Sequence, residues 1–289
     1  MRYLTDTDFR KALEERLRQR AEKDGEPLIR LRKRVVFERA MVRLQQDDPT
    51  PWVLKGGFAL ELRMGNLARM TKDLDLTADL GFFSGATPST SKLSDRLRED
   101  LKRENEDRFA FQVAEGSEEE LPTQGVKSFR FLVETRLDGR RFENIKIDVG
   151  VGDPLIPPVE EIKGSDLLSF AGISVPLIRV TSRAQHFAEK IHALTRPFND
   201  RINTRVKDLA DLMLFAEHGL PQTDDVKVAV TKIFENRKTH EIPSSIGIPP
   251  ATWATSYSAM ASQLDLKEKT IESATSRLNE YWKTFSKGK

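Results

Sequence analysis

The chain has 289 residues, of which 38% are hydrophobic and 32% charged, as is typical of a globular protein with a well-solvated surface. It contains no cysteine, which excludes disulfides, thiolate nucleophiles and cysteine-ligated zinc, and its four histidines show no metal-binding spacing. No apolar run approaches the roughly 20 residues that a membrane span needs, and the charged N-terminus does not resemble a signal peptide. These features predict a cytoplasmic protein without membrane contact.

The net charge of +2 is unevenly distributed along the chain. Residues 1–43 hold 13 Lys and Arg against 8 Asp and Glu, and residues 179–207 hold 7 against 2. Each segment therefore carries +5, and the rest of the chain carries −8. Two basic segments on an otherwise acidic chain suggest a polyanionic partner. The alternative is a pair of solvated helical faces, which we favour for the N-terminal segment taken alone.

Hydrophobic periodicity predicts helices and short strands in the first hundred residues. The helices are predicted at residues 8–23, 28–46, 58–64 and 92–108. The strands are predicted at residues 52–54 and 73–76, the second because polar and apolar residues alternate at a period of two. Gly56-Gly57 marks a turn after the first strand, and the Gly-, Ser- and Thr-rich residues 81–91 indicate a loop.

A β-hairpin is the clearest local prediction in the second half of the chain. Residues 129–137 alternate, Asp138-Gly139 favours a tight turn, and residues 145–151 alternate again. The other predicted elements are a strand at 177–180, a helix capped by Ser182, a helix at about 206–218, and a mostly helical region at 221–289 with a loop at 241–252.

Two carboxylates, Asp73 and Asp75, are expected to share one face of their strand. Carboxylates that close repel each other unless a cation lies between them, and Mg²⁺ prefers carboxylate and phosphate oxygens. A third carboxylate, Asp148, alternates away from the apolar face of the hairpin. Together the three could hold one or two Mg²⁺ ions for phosphoryl displacement. The alternative is that Asp73 and Asp75 form the solvated face of an edge strand.

The Gly56-Gly57 turn points to a phosphate, because glycines between a strand and a helix let phosphate oxygens approach backbone N–H groups. The sequence lacks the GxxxxGK[ST] pattern, so the turn is not a P-loop. Taken alone, such a turn is weak evidence for a nucleotide site. Its position only 16 residues before Asp73 is what makes a joint phosphate and metal site worth considering.

Together, these residues resemble the AbiEii/AbiGii-type nucleotidyltransferase toxins of the DNA polymerase β-like superfamily. The first motif of that family is matched by Leu54, Gly56-Gly57, Arg69, Thr71, Asp73 and Asp75. The other motifs are matched, in the expected order, by "IKIDVGVGD", by "AEKIHALTR" at 188–196 and by "RVKDLADLMLF" at 205–215. The resemblance covers roughly residues 52–216, and neither the N-terminal helices nor the C-terminal tail contributes to it.

The resemblance implies roles for individual residues. It implies that Asp73, Asp75 and, less regularly, Asp148 bind Mg²⁺. It implies that a nucleoside triphosphate (NTP) is bound by Lys55, Gly56, Gly57, Arg69, Thr71 and Lys190. It also implies that one aspartate of the Asp208/Asp211 pair is needed for transfer. The alternative for Lys190 is a structural ion pair with one of those aspartates, and both roles can hold in turn.

The resemblance implies an α/β fold: a polymerase β-like mixed sheet with flanking helices, plus a helical C-terminal part. We expect N-terminal helices at 1–48, a nucleotidyltransferase core at 49–180 and a helical domain at 181–289 that completes the site. The implied function is that of a toxin, paired with an antitoxin, which transfers a nucleotide from an NTP to an RNA 3′ end.

The expected acceptor is tRNA, whose modification would block translation. The cations that we expect to bind RNA are Arg183, Arg196, Arg201, Arg205 and Lys207. Three alternatives remain: transfer to a small molecule such as an antibiotic or to a protein, a non-catalytic nucleotide- or RNA-binding module, and a toxin that inhibits by binding a protein.

Overall fold

A mixed eight-stranded β-sheet forms the centre of the molecule in the computed structural model, which describes residues 2–83, 85, 87–119, 126–197, 203 and 205–286. The strands are β1 Trp52–Lys55, β2 Asp73–Ala78, β3 Ala110–Val113, β4 Ser117–Glu119, β5 Lys127–Leu137, β6 Arg140–Val151, β7 Glu160–Lys163 and β8 Leu177–Val180. The α-helices are α1 Asp6–Asp24, α2 Leu28–Leu44, α3 Gly56–Met64, α4 Thr90–Leu101, α5 Arg183–Thr195, α6 Val206–His218, α7 Thr223–Arg237, α8 Ala254–Gln263 and α9 Ile271–Ser286. The predicted α/β fold with a mixed sheet is confirmed.

The predicted hairpin is present as β5 and β6, the longest strands of the sheet. Asp138 and Gly139 both have positive φ, as a tight two-residue hairpin turn requires. The inward-facing residues of both strands are buried on one face, as the alternation predicts. Because this hairpin fixes the register of β6, it also fixes where Asp148 lies on the sheet.

The strand order places β2 between β6 and β1. β2 is parallel to β6 and antiparallel to β1, and β1 is in turn parallel to β8. Within this arrangement Asp75 lies directly opposite Asp148 on one side and Lys55 on the other. The topology therefore gathers side chains from three separate sequence segments in one row across the sheet.

Two hydrophobic cores lie on the two sides of α3. The first joins α1 and α2 to the sheet, so the N-terminal helices share a core with the strands. The second is formed by the helices after residue 180, together with Leu60 and Met64 of α3. Both cores thus meet at the helix that follows the glycine turn, and the junction between them forms a cleft. None of the described helices is long and apolar enough to span a membrane.

The helix predicted at 92–108 ends earlier than predicted, because α4 stops at Leu101. The following residues are held by a buried ion pair, in which Arg43 donates to both oxygens of Asp107 at 2.7 and 2.8 Å. A bidentate pair of this kind outweighs the helical preference of a polar segment. The short strands β3, β4 and β7 were also not predicted, because their polar residues carry no clear alternation.

Candidate active site

The turn between β1 and α3 depends on two glycines. Gly56 has a φ of +65°, and a Cβ atom there would lie 2.1 Å from Oδ2 of Asp75. A Cβ atom on Gly57 would lie 2.6 Å from Oγ1 of Thr71. The Gly57 N–H instead donates to Oδ2 of Asp75 at 3.3 Å. The predicted glycine turn and the second predicted carboxylate therefore meet at the N-terminus of α3.

Gly56→Ala is expected to reduce both stability and activity. The left-handed conformation costs a non-glycine residue about 1–2 kcal/mol, and the new methyl group would also displace Asp75. Gly25→Ala is the matched control, because Gly25 has the same φ of +65° with nothing within 4 Å of its Cβ position. Urea unfolding should show a loss of stability in both variants, and the nucleotidyl transfer that the motif resemblance implies should be lost only in Gly56→Ala. Equal activity in the two variants would contradict the steric argument.

Asp75 and Asp148 form a pair of like charges on adjacent strands. Burial, followed by the nearby Asp148 carboxylate, raises the pKa of Asp75 to about 6. The Lys55 ammonium, the Gly57 N–H and the Lys190 ammonium oppose this shift without cancelling it. Asp75 therefore has an unmet need for positive charge, which is the property expected of a carboxylate that binds a cation.

Asp148 already has one cationic partner, which the sequence did not reveal. Arg130 lies opposite it on β5 and donates to both of its oxygens at 2.8 Å. Asp73 lies two residues before Asp75 on β2, and it lines a neighbouring groove instead of the cleft. Within the described part of the chain, no three acidic or histidine side chains are arranged to hold a metal. The three predicted carboxylates therefore do not form a preassembled metal site, and their metal-binding role remains a prediction.

The cleft has a volume of about 450 Å³ and lies between the sheet and the C-terminal helices. Lys55, the two glycines, Asp75 and Asp148 line it from the sheet side. From the helical side it is lined by His186, Glu189, Lys190, His192, Ala193, Arg196, Arg205, Asp208 and Arg237, and Arg69 also contributes. The structure thus brings residues from all the sequence motifs to one cavity.

The Asp211 carboxylate lies fully buried between two cations. Arg69 donates to both of its oxygens at 3.0 Å, and Lys190 donates to Oδ2 at 2.7 Å. Burial alone would raise the pKa of Asp211, but Lys190 and Arg69 outweigh burial and lower it. Asp211 therefore stays ionised and holds both cations at the edge of the cleft.

Lys190 contacts a second carboxylate, because Nζ also donates to Oδ1 of Asp208 at 3.2 Å. Burial lowers the pKa of Lys190, but Asp211 and Asp208 more than compensate and raise it. The structural ion pair considered for Lys190 is thus present. Since Lys190 and Asp208 line the cleft and Asp211 does not, the lysine still faces the space where a phosphate would bind.

A further ion-pair cluster in the cleft was not predicted. Arg237 donates to both oxygens of Asp153 at 2.7 and 2.8 Å, and Nζ of Lys55 lies 3.5 Å from the same carboxylate. Gly150 leaves room for this lysine, because a Cβ atom there would lie 2.7 Å from Nζ. Asp153 ends the motif "IKIDVGVGD" and could have been noticed, whereas no sequence signal indicated Arg237.

The predicted RNA-binding cations are not all placed together. Arg196 and Arg205 line the cleft, and Lys207 is exposed on α6 outside its lining. Arg183 lies elsewhere: its guanidinium donates to the Gly219 carbonyl at 3.4 Å and it lines a separate pocket. Arg201 falls outside the described residues. Arg183 is the first residue of α5, and its side chain reaches Gly219 instead of the cleft.

Thr71 lies beneath the glycine turn, and His186 and His192 line the cleft. Thr71 is buried beneath Gly57, and its hydroxyl donates to the Asp73 carbonyl at 3.2 Å, so it supports the turn. Burial lowers the pKa of His186 and lowers that of His192 to about 3. Both rings are therefore neutral, and both line the cleft.

Comparison with solved structures shows the same fold in MenT4, a nucleotidyltransferase toxin from Mycobacterium tuberculosis H37Rv. The TM-score is 0.52 and the sequence identity 18%, over 98% of this chain and 99% of that chain. Comparison with curated proteins gives no match. The sequence matches the family described as "Nucleotidyl transferase AbiEii toxin, Type IV TA system" over residues 39–287. The resemblance drawn from the motifs is therefore confirmed, and the chain belongs to the AbiEii family of nucleotidyltransferase toxins from type IV toxin–antitoxin systems.

Proposed function

We propose that this toxin transfers a nucleoside monophosphate from an NTP to the 3′ end of an RNA, with tRNA as the acceptor, and so blocks translation. The observation that carries the proposal is the cleft, in which Asp75 and Asp148 face the ammonium groups of Lys55 and Lys190 beside the glycine turn. A polyphosphate needs cations, and its transfer needs neighbouring carboxylates. This cleft contains both.

The triphosphate would be held by the N-terminus of α3 and by the two lysines of the cleft. Backbone N–H groups at a helix N-terminus bind phosphate oxygens, and Lys190 adds a compact charge. Because Gly56 and Gly57 carry no side chain, Asp75 and Thr71 can pack closely against this backbone. Arg69 contributes through Asp211, which both cations share. The residues thus orient the phosphates and stabilise the charge that develops during transfer.

The carboxylates fit a divalent cation. Burial, followed by the Asp148 carboxylate, raises the pKa of Asp75, and a cation held by these carboxylates would stabilise their charged forms. Asp73 lies two residues before Asp75 on β2. Mg²⁺ is the natural candidate, because it prefers carboxylate and phosphate oxygens, and when bound it would neutralise phosphate charge. Arg130 neutralises Asp148 in the free protein. In the transfer itself, the acceptor hydroxyl loses its proton to water, its oxygen bonds the α-phosphorus, and pyrophosphate leaves.

An RNA acceptor agrees with the charge around the cleft better than a small cationic antibiotic does. Arg196 and Arg205 line the cleft in addition to the two lysines, which exceeds the need of one triphosphate. A polycationic acceptor would instead require a wall of unpaired carboxylates. Of the carboxylates that line the cleft, Asp148, Asp153 and Asp208 are engaged by cations of this chain. Both substrates of the proposed reaction are found in the cytoplasm, where we expect the toxin to act.

The test is to incubate the purified protein with each labelled NTP, Mg²⁺ and total cellular RNA. Label should appear in the tRNA band, should disappear on chelation by EDTA, and should be absent with Asp75→Asn. Addition of the antitoxin encoded beside the toxin should reduce toxicity in cells. Label that enters only protein or a small molecule would refute the RNA assignment, and binding of NTP without transfer to any acceptor would favour a binding module.

Lys190→Ala is expected to weaken NTP binding and to lower turnover by about two to three orders of magnitude, because one charged phosphate contact is lost. Lys190→Arg should rescue poorly, since the guanidinium is larger and the lysine side chain is only 8% exposed. Lys227→Ala, on the exposed face of α7, is the control. Calorimetric titration with a non-hydrolysable NTP measures the binding step. Unchanged NTP affinity in Lys190→Ala would assign the lysine a purely structural role.

A further inference from the structure

A second groove lies next to the cleft. Its volume is about 960 Å³, and it is formed by the start of α2, the segment before β2, β3, and the outer parts of β5 and β6. Of the residues in the quoted motifs, Asp73, Ile145 and Lys146 line it. The rest of the groove lies outside the residues that the family motifs explain.

The groove borders the proposed reaction site, because the two are lined by adjacent rows of residues on the same face of the sheet. One row of residues across the sheet runs Arg130, Asp148, Asp75 and Lys55, and the next row on the same face runs Leu132, Lys146 and Asp73. Residues two apart on a strand are separated by about 7 Å. The first row belongs to the cleft and the second to the groove, so Asp73 on the groove side lies one row away from Asp75 and Asp148 on the cleft side.

The chemistry of the groove suits a single-stranded nucleic acid. Lys72 and Lys146 are exposed, and neither forms an ion pair with any carboxylate in the described part of the chain. Leu132 lies beside Lys146 and is 54% exposed, an unusual state for a leucine in the centre of a strand. Gln112 and Asn144 add amide groups to the same walls. Phosphates need cations, and an exposed apolar side chain can cover the face of an unstacked base, here without the aromatic stacking that many RNA-binding sites use.

We propose that this groove binds the single-stranded 3′ end of the RNA acceptor. Lys72 and Lys146 contact the backbone phosphates, Leu132 packs against a terminal base, and the 3′-hydroxyl points past Asp73 toward the NTP in the cleft. This assignment rests on the proposed transfer to RNA. It divides the site into an NTP side at Lys55 and Lys190 and an acceptor side at the groove.

The test compares the double charge reversal Lys72→Glu/Lys146→Glu with a matched reversal, Lys227→Glu/Lys232→Glu, on the exposed face of α7. The groove variant should raise the KM for the acceptor RNA at least tenfold and leave the affinity for NTP unchanged. Loss of two phosphate contacts should also reduce the slope of log affinity against log salt by about 1.4. Leu132→Ser should weaken RNA binding without changing that slope.

A wild-type protein that labels no RNA would refute the proposed function itself, before the groove is tested. A wild-type protein that labels RNA, with a groove variant whose KM and salt slope equal those of the α7 control, would refute the groove assignment alone. RNA carrying 4-thiouridine at its 3′ end should crosslink to the peptide that contains Leu132. Crosslinking only to α5 or α6 would overturn the proposal, as would a groove variant that transfers normally but escapes the antitoxin.

Discussion

Asp75→Asn should abolish nucleotidyl transfer while leaving the protein at least as stable as the native chain at pH 7.5. The substitution removes one of two like charges that face each other across β2 and β6. It keeps an oxygen that can accept from the Gly57 N–H, so the turn is preserved. If removal of the Asp75 carboxylate does not destabilise the fold, the carboxylate is not needed for folding, and its role lies in the reaction. Activity would be measured by label incorporated into RNA, and stability by urea unfolding.

The same residue predicts a pH dependence of stability. The pKa of Asp75 is raised to about 6 from an ordinary value of 3.8, so the native protein binds a proton that the unfolded chain has released. The resulting stability is complete below about pH 4 and is lost as the pH rises through 6. It amounts to about 1–3 kcal/mol. Burial raises the pKa of Glu38 to about 7, which acts in the same direction. The native chain should therefore gain stability between pH 7.5 and 5, and Asp75→Asn should gain less.

Asp107→Asn provides the contrast, because Asp107 is a buried carboxylate with a purely structural partner. Its loss leaves the Arg43 guanidinium buried without a counter-charge, which costs about 3–5 kcal/mol. That variant should be destabilised and should retain transfer at temperatures where it is folded. If Asp75→Asn behaves in this way instead, losing stability and keeping turnover, the carboxylate is structural and the proposed cation site is wrong.

The sequence predicted those parts of the site that local patterns encode. Alternation placed Asp73, Asp75 and Asp148 on the strands where the structure has them, and the glycines marked the turn correctly. A strand pattern gives the face of a residue but not its neighbours. The row Arg130, Asp148, Asp75 and Lys55 depends on strand order and register, which arise only when the sheet assembles.

Ion pairs between distant segments explain the rest of what the sequence did not reveal. Arg237 and Asp153 are 84 residues apart, and neither lies in a periodic pattern that would link them. The basic residues at 179–207 form one continuous segment in the sequence. Much of that segment is helix α5, which distributes side chains around its axis and along its length. Arg196 and Arg205 consequently reach the cleft, whereas Arg183 faces Gly219.

Asp211→Asn is expected to cause the largest loss of stability among the site variants, and to lower turnover as well. Asp211 has no exposed surface, and its two oxygens accept three hydrogen bonds from Arg69 and Lys190. Removing one partner of a buried charge cluster costs about 3–5 kcal/mol, because the remaining cations stay buried without compensation. Since the pKa of Asp211 is lowered, its contribution to stability is present above the unfolded pKa and is lost as the pH falls through the lower native value.

Asp208→Asn is the matched variant, because Asp208 contacts the same lysine at 3.2 Å but is partly exposed and lines the cleft. It should cost far less stability than Asp211→Asn. In Asp211→Asn both NTP affinity and turnover should fall, since Lys190 and Arg69 lose the group that positions them, and Lys190→Ala combined with Asp211→Asn should cost less than the sum of the two. Additive effects in that double-mutant cycle, measured by NTP titration, would show that Asp211 does not act through Lys190. Full turnover in a folded Asp211→Asn variant would remove the aspartate from the proposed mechanism.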